Sequence, residues 1–357
     1  MKDIDFPIFK TKIEGLTRRF NLNDPAERKE YFLAKAGPEI EKIRKFLEKN
    51  TFVAYLLGKK NSGKGTYSKL FMEAIGNNDI NHISVGDLVR DIHAAIVTKD
   101  KRKAFMEFLK KNYRGFNDLD EITGLIEGRN QSSLISTELI LALLKYEISK
   151  KPRQAIFIDG FPRGFDQINY ALFLKDLLGY REDPDFFVFI DLPETVIDER
   201  IKHRVICPIC KTPRSPKLLA TREIGYDKKA KKFYLICDNT SCNKARMVPK
   251  EGDELGIDPI RKRLEVDDQI MRQLLKLEGV PKVYLRNSLP KDKALEYADD
   301  YEITPEYSYK LDTATGKIKV IESPWSVKDD NGVESVSLLA YPVVISMIKQ
   351  IAKILNP

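Results

Sequence analysis

No stretch of the chain approaches the roughly 18 consecutive apolar residues that mark a membrane-spanning helix. The first ten residues lack an apolar core and carry Asp3, Asp5 and Pro7, so a secretory leader is not expected. Four cysteines in 357 residues are too few for a disulfide scaffold. Internal repeats and low-complexity tracts are missing too, which sets aside solenoids and biased linkers. What is present is ample: 42% hydrophobic residues argue against wholesale disorder and supply a core for one large domain or two ordinary ones. Basic residues exceed acidic ones by 61 to 53, a net charge of +8. That mild excess favours acidic ligands, nucleotides or nucleic acid without choosing among them.

Chain order gives the architecture. Residues 1–50 read as a helical extension. Asp24-Pro25 is a helix start with a capping carboxylate and proline in the first turn. Gly37-Pro38 punctuates, and a second helix follows with Ile40, Ile43, Phe46 and Leu47 on one face. From residue 52 the pattern changes to short apolar runs, Phe52–Leu57, Ala155–Ile158 and Phe186–Ile190. Helical stretches such as Leu139–Ile148 and Tyr170–Leu178 lie between them. Such alternation predicts an α/β fold, a three-layer parallel sheet with helices on both faces. Two stretches interrupt it: about 97–137, polar and helical, and about 205–246, which holds all the cysteines. Near the end, Tyr307–Ile321 alternates around Thr313-Ala314-Thr315-Gly316 as a hairpin, and a final helix is expected from about Val333 to Ile354. The extension, the hairpin region, and Trp325 and Gly332 in the loop before that helix suggest no chemistry.

Gly58-Lys59-Lys60-Asn61-Ser62-Gly63-Lys64-Gly65-Thr66 follows directly on the first strand and fits G-x-x-x-x-G-K. Glycines let backbone N–H groups approach a phosphate, the following helix adds its positive end, and Lys64 reaches the β- and γ-phosphates. Cys207-Pro208-Ile209-Cys210 and Cys237-Asp238-Asn239-Thr240-Ser241-Cys242 form two knuckles with 26 residues between them. Two such pairs complete a tetrahedron of thiolates, so Cys207, Cys210, Cys237 and Cys242 are expected to hold a structural Zn²⁺ with no open position.

Three further motifs follow the loop: His82-Ile83-Ser84-Val85-Gly86-Asp87-Leu88-Val89-Arg90, then Phe157-Ile158-Asp159-Gly160-Phe161-Pro162-Arg163-Gly164-Phe165-Asp166-Gln167, then Asp198-Glu199-Arg200-Ile201-Lys202-His203-Arg204. In this order they resemble the adenylate kinase family, nucleoside monophosphate kinases that move a phosphoryl group between two nucleotides. The likeness covers about 52–90, 134–210 and 237–265.

The resemblance implies roles. Gly58, Asn61, Ser62, Gly63, Lys64, Gly65 and Thr66 bind ATP, with Arg200 and Arg204 clamping it from one helix face. Ser84, Val85, Arg90, Gly160, Arg163 and Gln167 bind AMP, Gln167 reading adenine with an amide that both donates and accepts. Asp87 and Asp159 hold water molecules of Mg²⁺. Lys64, Arg163, Arg204 and Arg263 neutralise charge in the transfer itself. The implied reaction is ATP plus AMP to two ADP. A kinase for UMP, CMP or GMP, or a non-catalytic nucleotide- and RNA-binding module, are the alternatives. The expected setting is a cytoplasmic monomer, with ATP and AMP as partners and neither membrane nor nucleic acid. The implied division is an extension at 1–50, a core at 51–204 and 247–357, an enlarged acceptor insert at 83–140 and a zinc lid at 205–246. One departure stands out: the family's Arg-x-Asp-Asp corresponds here to Lys250-Glu251-Gly252-Asp253. A lysine keeps the charge and loses the bidentate fork. Val85 also stands where a hydroxyl residue is usual.

Overall fold

The computed structural model describes residues 2, 4, 6–76, 79–95, 98–115, 118, 122, 124 and 136–355. Its centre is β1 (Val53–Gly58), flanked by β3 (Ala155–Asp159) and β4 (Asp185–Asp191), with β2 (Ile80–Ser84) and β10 (Lys282–Arg286) at the edges. All five strands run parallel. The apolar runs are unbroken because both faces of each strand are covered. Ala54, Leu56, Phe157 and Val188 face one core; Val53, Tyr55, Ile158 and Phe189 face the other.

Helices α1 (Pro25–Leu47), α2 (Lys64–Ile75) and α10 (Ala340–Ile354) pack over the first face. Helices α3 (Val85–Ala95), α5 (Thr137–Ser149), α6 (Asp166–Leu178) and α8 (Arg261–Leu275) cover the second. The α/β three-layer expectation therefore holds. A buried leucine or phenylalanine contributes about 1.5–3 kcal/mol, so these two cores carry the stability of the chain.

The N-terminal extension is only half helical. Asp24 caps α1, its carboxylate accepting from the N–H groups of Ala26 and Glu27. A kink at Ala36 (φ −149°, ψ 26°) falls at the expected punctuation by Gly37-Pro38. Among the described residues before Asp24 there is no helix; Phe6, Phe20 and Leu22 are buried and hold this stretch onto the body. Tertiary burial has overridden the helical reading there.

The C-terminal end also differs. Between β10 and α10 runs an arm: β11 (Ser288–Pro290), a turn of helix α9 (Ala294–Tyr297), the hairpin β12 (Pro305–Leu311) and β13 (Ile318–Pro324), then β14 (Val327–Lys328) and β15 (Glu334–Ser337). The hairpin matches expectation. The final helix begins at Ala340, since Glu334-Ser335-Val336-Ser337 is spent on pairing with β11 and β14. The arm and the extension are joined by a buried ion-pair cluster. Lys35, fully buried, lies 2.7 Å from both Asp299 and Glu302, and the Tyr31 hydroxyl donates to Glu302. Buried charges of this kind fix register more than they stabilise.

Between helix α7 (Glu194–Lys202) and α8 the chain builds a small unit from β5 (Val205–Ile206), β6 (Pro213–Arg214) and β9 (Val248–Pro249) plus the hairpin β7 (Ile224–Asp227) and β8 (Lys232–Leu235). On the acceptor side α4 (Lys99–Asn112) follows α3. Much of the stretch 116–135, part of the expected acceptor insert, lies outside the described residues.

Candidate functional site

The carboxyl ends of parallel strands are where an α/β sheet offers a crevice. Here β1 ends in Gly58, β2 in Ser84 and β3 in Asp159. Gly58 is required by packing: a Cβ there would stand 2.6 Å from the Ser62 hydroxyl and 3.1 Å from Ile190. Gly63 sits at φ +102° and Asn61 at φ +67°, both left-handed, so the loop turns its amides inward. Gly63 also caps α2 and has no side chain to occupy the helix's first N–H groups. Such a terminus accepts an anion.

Lys64 folds back over the loop, donating to the carbonyls of Gly58 (2.8 Å) and Lys59 (3.1 Å), with Asp159 at 3.9 Å. Burial lowers the proton affinity of its ammonium, against the pull of Asp159 and Asp267. Three buried polar atoms around it have no hydrogen-bond partner: Ser62 Oγ, Asp159 Oδ1 and His82 Nε2. Burial depresses the His82 pKa, which keeps that ring neutral at pH 7. Orphaned atoms beside an anion nest are what a phosphate and a hydrated cation would satisfy. Asp159 thus suits Mg²⁺-bound water.

Lys64, Gly58, Gly160, Arg163 and Asp267 line one cleft, floored by Ile270 and Met271. Gly160 takes φ +88°, and a Cβ there would lie 3.3 Å from the Arg163 guanidinium. Burial lowers the pKa of Arg163, and the positive charge of Arg263 adds to that effect. Arg263 thereby joins the cluster, while Arg261 is turned to Asp258 at 2.7 Å.

Asp267, half-buried, was missed by the sequence reading. Its Oδ2 accepts the N–H of Lys60 in the loop at 3.1 Å. It stands four residues after Arg263 on α8, so an i,i+4 partner of a recognised arginine was the available signal.

Arg200 and Arg204 do not share a helix face. Helix α7 ends at Lys202, two residues before Arg204. Arg204 forms a bidentate pair with Asp253 (2.5 and 2.6 Å) and reaches Asn61 of the loop at 3.4 Å. Arg200 turns instead to Asn287 Oδ1 (3.4 Å) and Ser337 Oγ (3.3 Å). Lys250 is exposed and adds to the positive field that, after burial, lowers the Lys60 pKa. Thr66 is exposed in the first turn of α2.

The acceptor side is looser. Ser84 Oγ accepts from Asp87 N (3.3 Å), starting α3, and Val85 is buried in the second core. Asp87 is no strand-end carboxylate beside the loop. It sits in the first turn of α3, where the helix dipole favours it, 61% exposed and paired with Arg90. Arg90 is 71% exposed. Gln167 is buried, and its Oε1 already accepts the N–H of Arg163 at 2.8 Å.

The four cysteine sulfurs lie within 4.8 Å of one another, Cys210 and Cys237 at 3.7 Å. A tetrahedral ZnS₄ centre has sulfurs about 3.8 Å apart. Cys207, Cys237 and Cys242 are buried, and turns at Lys211 (φ +60°) and Asn243 (φ +47°) fold each knuckle. Four thiols converging without a disulfide are the donor set of a closed site.

No family profile matches the chain. Among curated proteins it is 34% identical over 163 residues to an adenylate kinase of Thermotoga petrophila, covering 44% of this chain and 61% of that one. An adenylate kinase of Hydrogenobaculum is 28% identical over 187 residues, covering 52% and 71%. One of Kosmotoga olearia is 34% identical over 158 residues, covering 43% and 60%. Over the matched stretch the chain is similar to these adenylate kinases. It spans about three fifths of the length of the Thermotoga and Kosmotoga adenylate kinases. Among the described residues no helix is long and apolar enough to cross a membrane.

Proposed function

We propose that the chain is an adenylate kinase, catalysing Mg²⁺-dependent transfer from ATP to AMP to give two ADP. The observation that carries this is the cleft shared by Lys64 and Arg163, at the ends of β1 and β3, next to Asp159, whose Oδ1 has no hydrogen-bond partner. Phosphoryl transfer asks for positioning and charge neutralisation more than covalent chemistry. The loop amides and Lys64 would bind the donor's β- and γ-phosphates. Arg163 and Arg90 would hold the acceptor phosphate, whose own anionic oxygen attacks. Arg204 and Arg263 would neutralise the group in flight. Asp159 would hold water molecules of a bound Mg²⁺, which would supply positive charge to the donor phosphates. Zinc on the four cysteines would fold the lid and take no part in chemistry. Thiols kept free for the metal suit a reducing compartment such as the cytoplasm.

The acceptor base is the finer question. Gln167 favours AMP, but its carbonyl already holds Arg163 N–H and has one lone pair left for a base. The test is ADP formation from Mg-ATP against AMP, UMP, CMP, GMP and dAMP, with metal content determined alongside. Strong preference for AMP supports the reading. Preference for another monophosphate keeps the mechanism and changes the acceptor. No turnover with any, in protein holding one zinc, overturns it.

A further inference from the structure

The C-terminal arm, residues 288–339, has no part in the chemistry above, yet it reaches the donor site from outside. Its turn 329–333 is built to present one side chain. Asp329 Oδ1 accepts the N–H groups of Asn331 and Val333 (both 3.0 Å), Asp329 N donates to Val333 O at 2.9 Å, and Gly332 takes φ +80°. Ser335 Oγ and Arg286 approach Asp329 Oδ2 at 3.3 and 3.7 Å. So stiffened, the turn points Asp330 at the phosphate loop. Asp330 Oδ2 accepts from Lys59 Nζ (3.1 Å), and Oδ1 from the N–H of Glu194 (2.8 Å). Glu194 closes the triangle on Lys59 at 2.9 Å.

Lys59 is the second residue of the phosphate loop and is 4% exposed. A lysine that deep is held by its partners, and the loop backbone is held with it. The same arm grips the root of the lid. Trp325 packs among Val196 and Ile201 of α7, Leu218 of the lid and Leu264 of α8. Tyr309 donates to Pro216 O at 2.5 Å and its ring packs at a tilt against Phe233, and Tyr307 N donates to Lys217 O at 2.7 Å.

We propose that Asp330 is a positioning residue for the donor site, through which the C-terminal arm fixes the phosphate loop by way of Lys59. This rests on the kinase reading. It acts on ATP and not on the acceptor, because the brace holds the donor loop at Lys59 and the start of α7 at Glu194. Preorganised loop amides bind a phosphate without the cost of ordering on binding.

The experiment compares wild type, Asp330→Asn, Asp330→Glu, Lys59→Met and the Asp330→Asn/Lys59→Met double variant. Steady-state kinetics and calorimetric Mg-ATP binding are the readouts. Thermal melting and zinc content report folding. The expected result is an ATP Kd and KM about tenfold higher in Asp330→Asn, with kcat and the acceptor KM within twofold. Asp330→Glu should recover part of the loss, and the double variant should be no worse than Lys59→Met. An unchanged ATP Kd in folded Asp330→Asn overturns the proposal, as does equal loss for both substrates. Additive single effects overturn the link through Lys59. Wild type that neither binds Mg-ATP nor turns over removes the kinase reading and this inference together; active wild type with an indifferent Asp330→Asn removes the inference alone.

Discussion

The proposed donor and acceptor halves of the site are built differently. Around the phosphate loop the polar groups are at least partly buried and already paired: Lys59 with Glu194 and Asp330, Arg204 with Asp253, Lys60 N–H with Asp267. Across the cleft Arg90 is exposed and paired with Asp87 on its own helix, while Gln167 is occupied by a backbone N–H. One half stands ready for its ligand, and the other must exchange partners to receive one. Arginine suits the second task, since a guanidinium released from an exposed carboxylate loses little and gains a bidentate phosphate. The difference predicts that losing Lys64 strikes the bound transition state, and losing Arg90 strikes acceptor affinity.

The largest effect should come from Lys64→Ala, which removes the ammonium held over the loop carbonyls of Gly58 and Lys59. Turnover should fall by about 10³ with melting temperature nearly unchanged. Wild-type-like kcat would break the comparison at its strongest point. Next is the metal. Cys207→Ser, or removal of the ion by a strong chelator, should release the bound zinc and cost at least about 10²-fold in activity through a lid that no longer folds. The two sheet cores do not include the cysteines, so the main melting transition should persist. Full activity in zinc-free protein would mean the cluster is idle. Smaller again is Arg90→Ala. Loss of one charge-assisted contact should raise the acceptor KM about 10- to 100-fold, leaving the ATP KM and stability unchanged. An equal rise in both constants would erase the distinction between the halves.

What the sequence revealed follows the range of the interactions. The phosphate loop, the three strands and the cysteine knuckles were legible because their physics is local: glycines at fixed offsets, apolar runs of strand length, thiols three and five residues apart. Arg204 was found, yet its geometry was not, because helix α7 stops at Lys202 and frees it to meet Asp253. Lys59 looked like one more loop lysine, since its partner Asp330 is 271 positions away. The stretch before Asp24 and the strand Glu334–Ser337 were read as helix because nothing local says what they pack on. The hairpin was visible, but nothing nearby in sequence showed that it leans on the lid.

The subtlest prediction concerns Asp267. It is a carboxylate among Lys64, Arg163 and Arg263, and burial raises its pKa in spite of those cations. The sign follows from linkage. At low pH the group is neutral folded and unfolded. As pH rises past the ordinary value of 3.8, the unfolded chain ionises first, so stability falls until the folded carboxyl also ionises and stays lower above that. Asn keeps an oxygen for Lys60 N–H and carries no charge. Asp267→Asn should therefore melt no lower than wild type at pH 7, higher by roughly one or two degrees, with the gain vanishing toward pH 3. It should also lower the ATP KM about two- to threefold, because it withdraws a negative charge from the cations awaiting phosphate. A lower melting temperature with weaker ATP binding would show the opposite, that the ionised carboxylate organises those cations. The donor half would then owe its readiness to Asp267 as much as to the brace on Lys59.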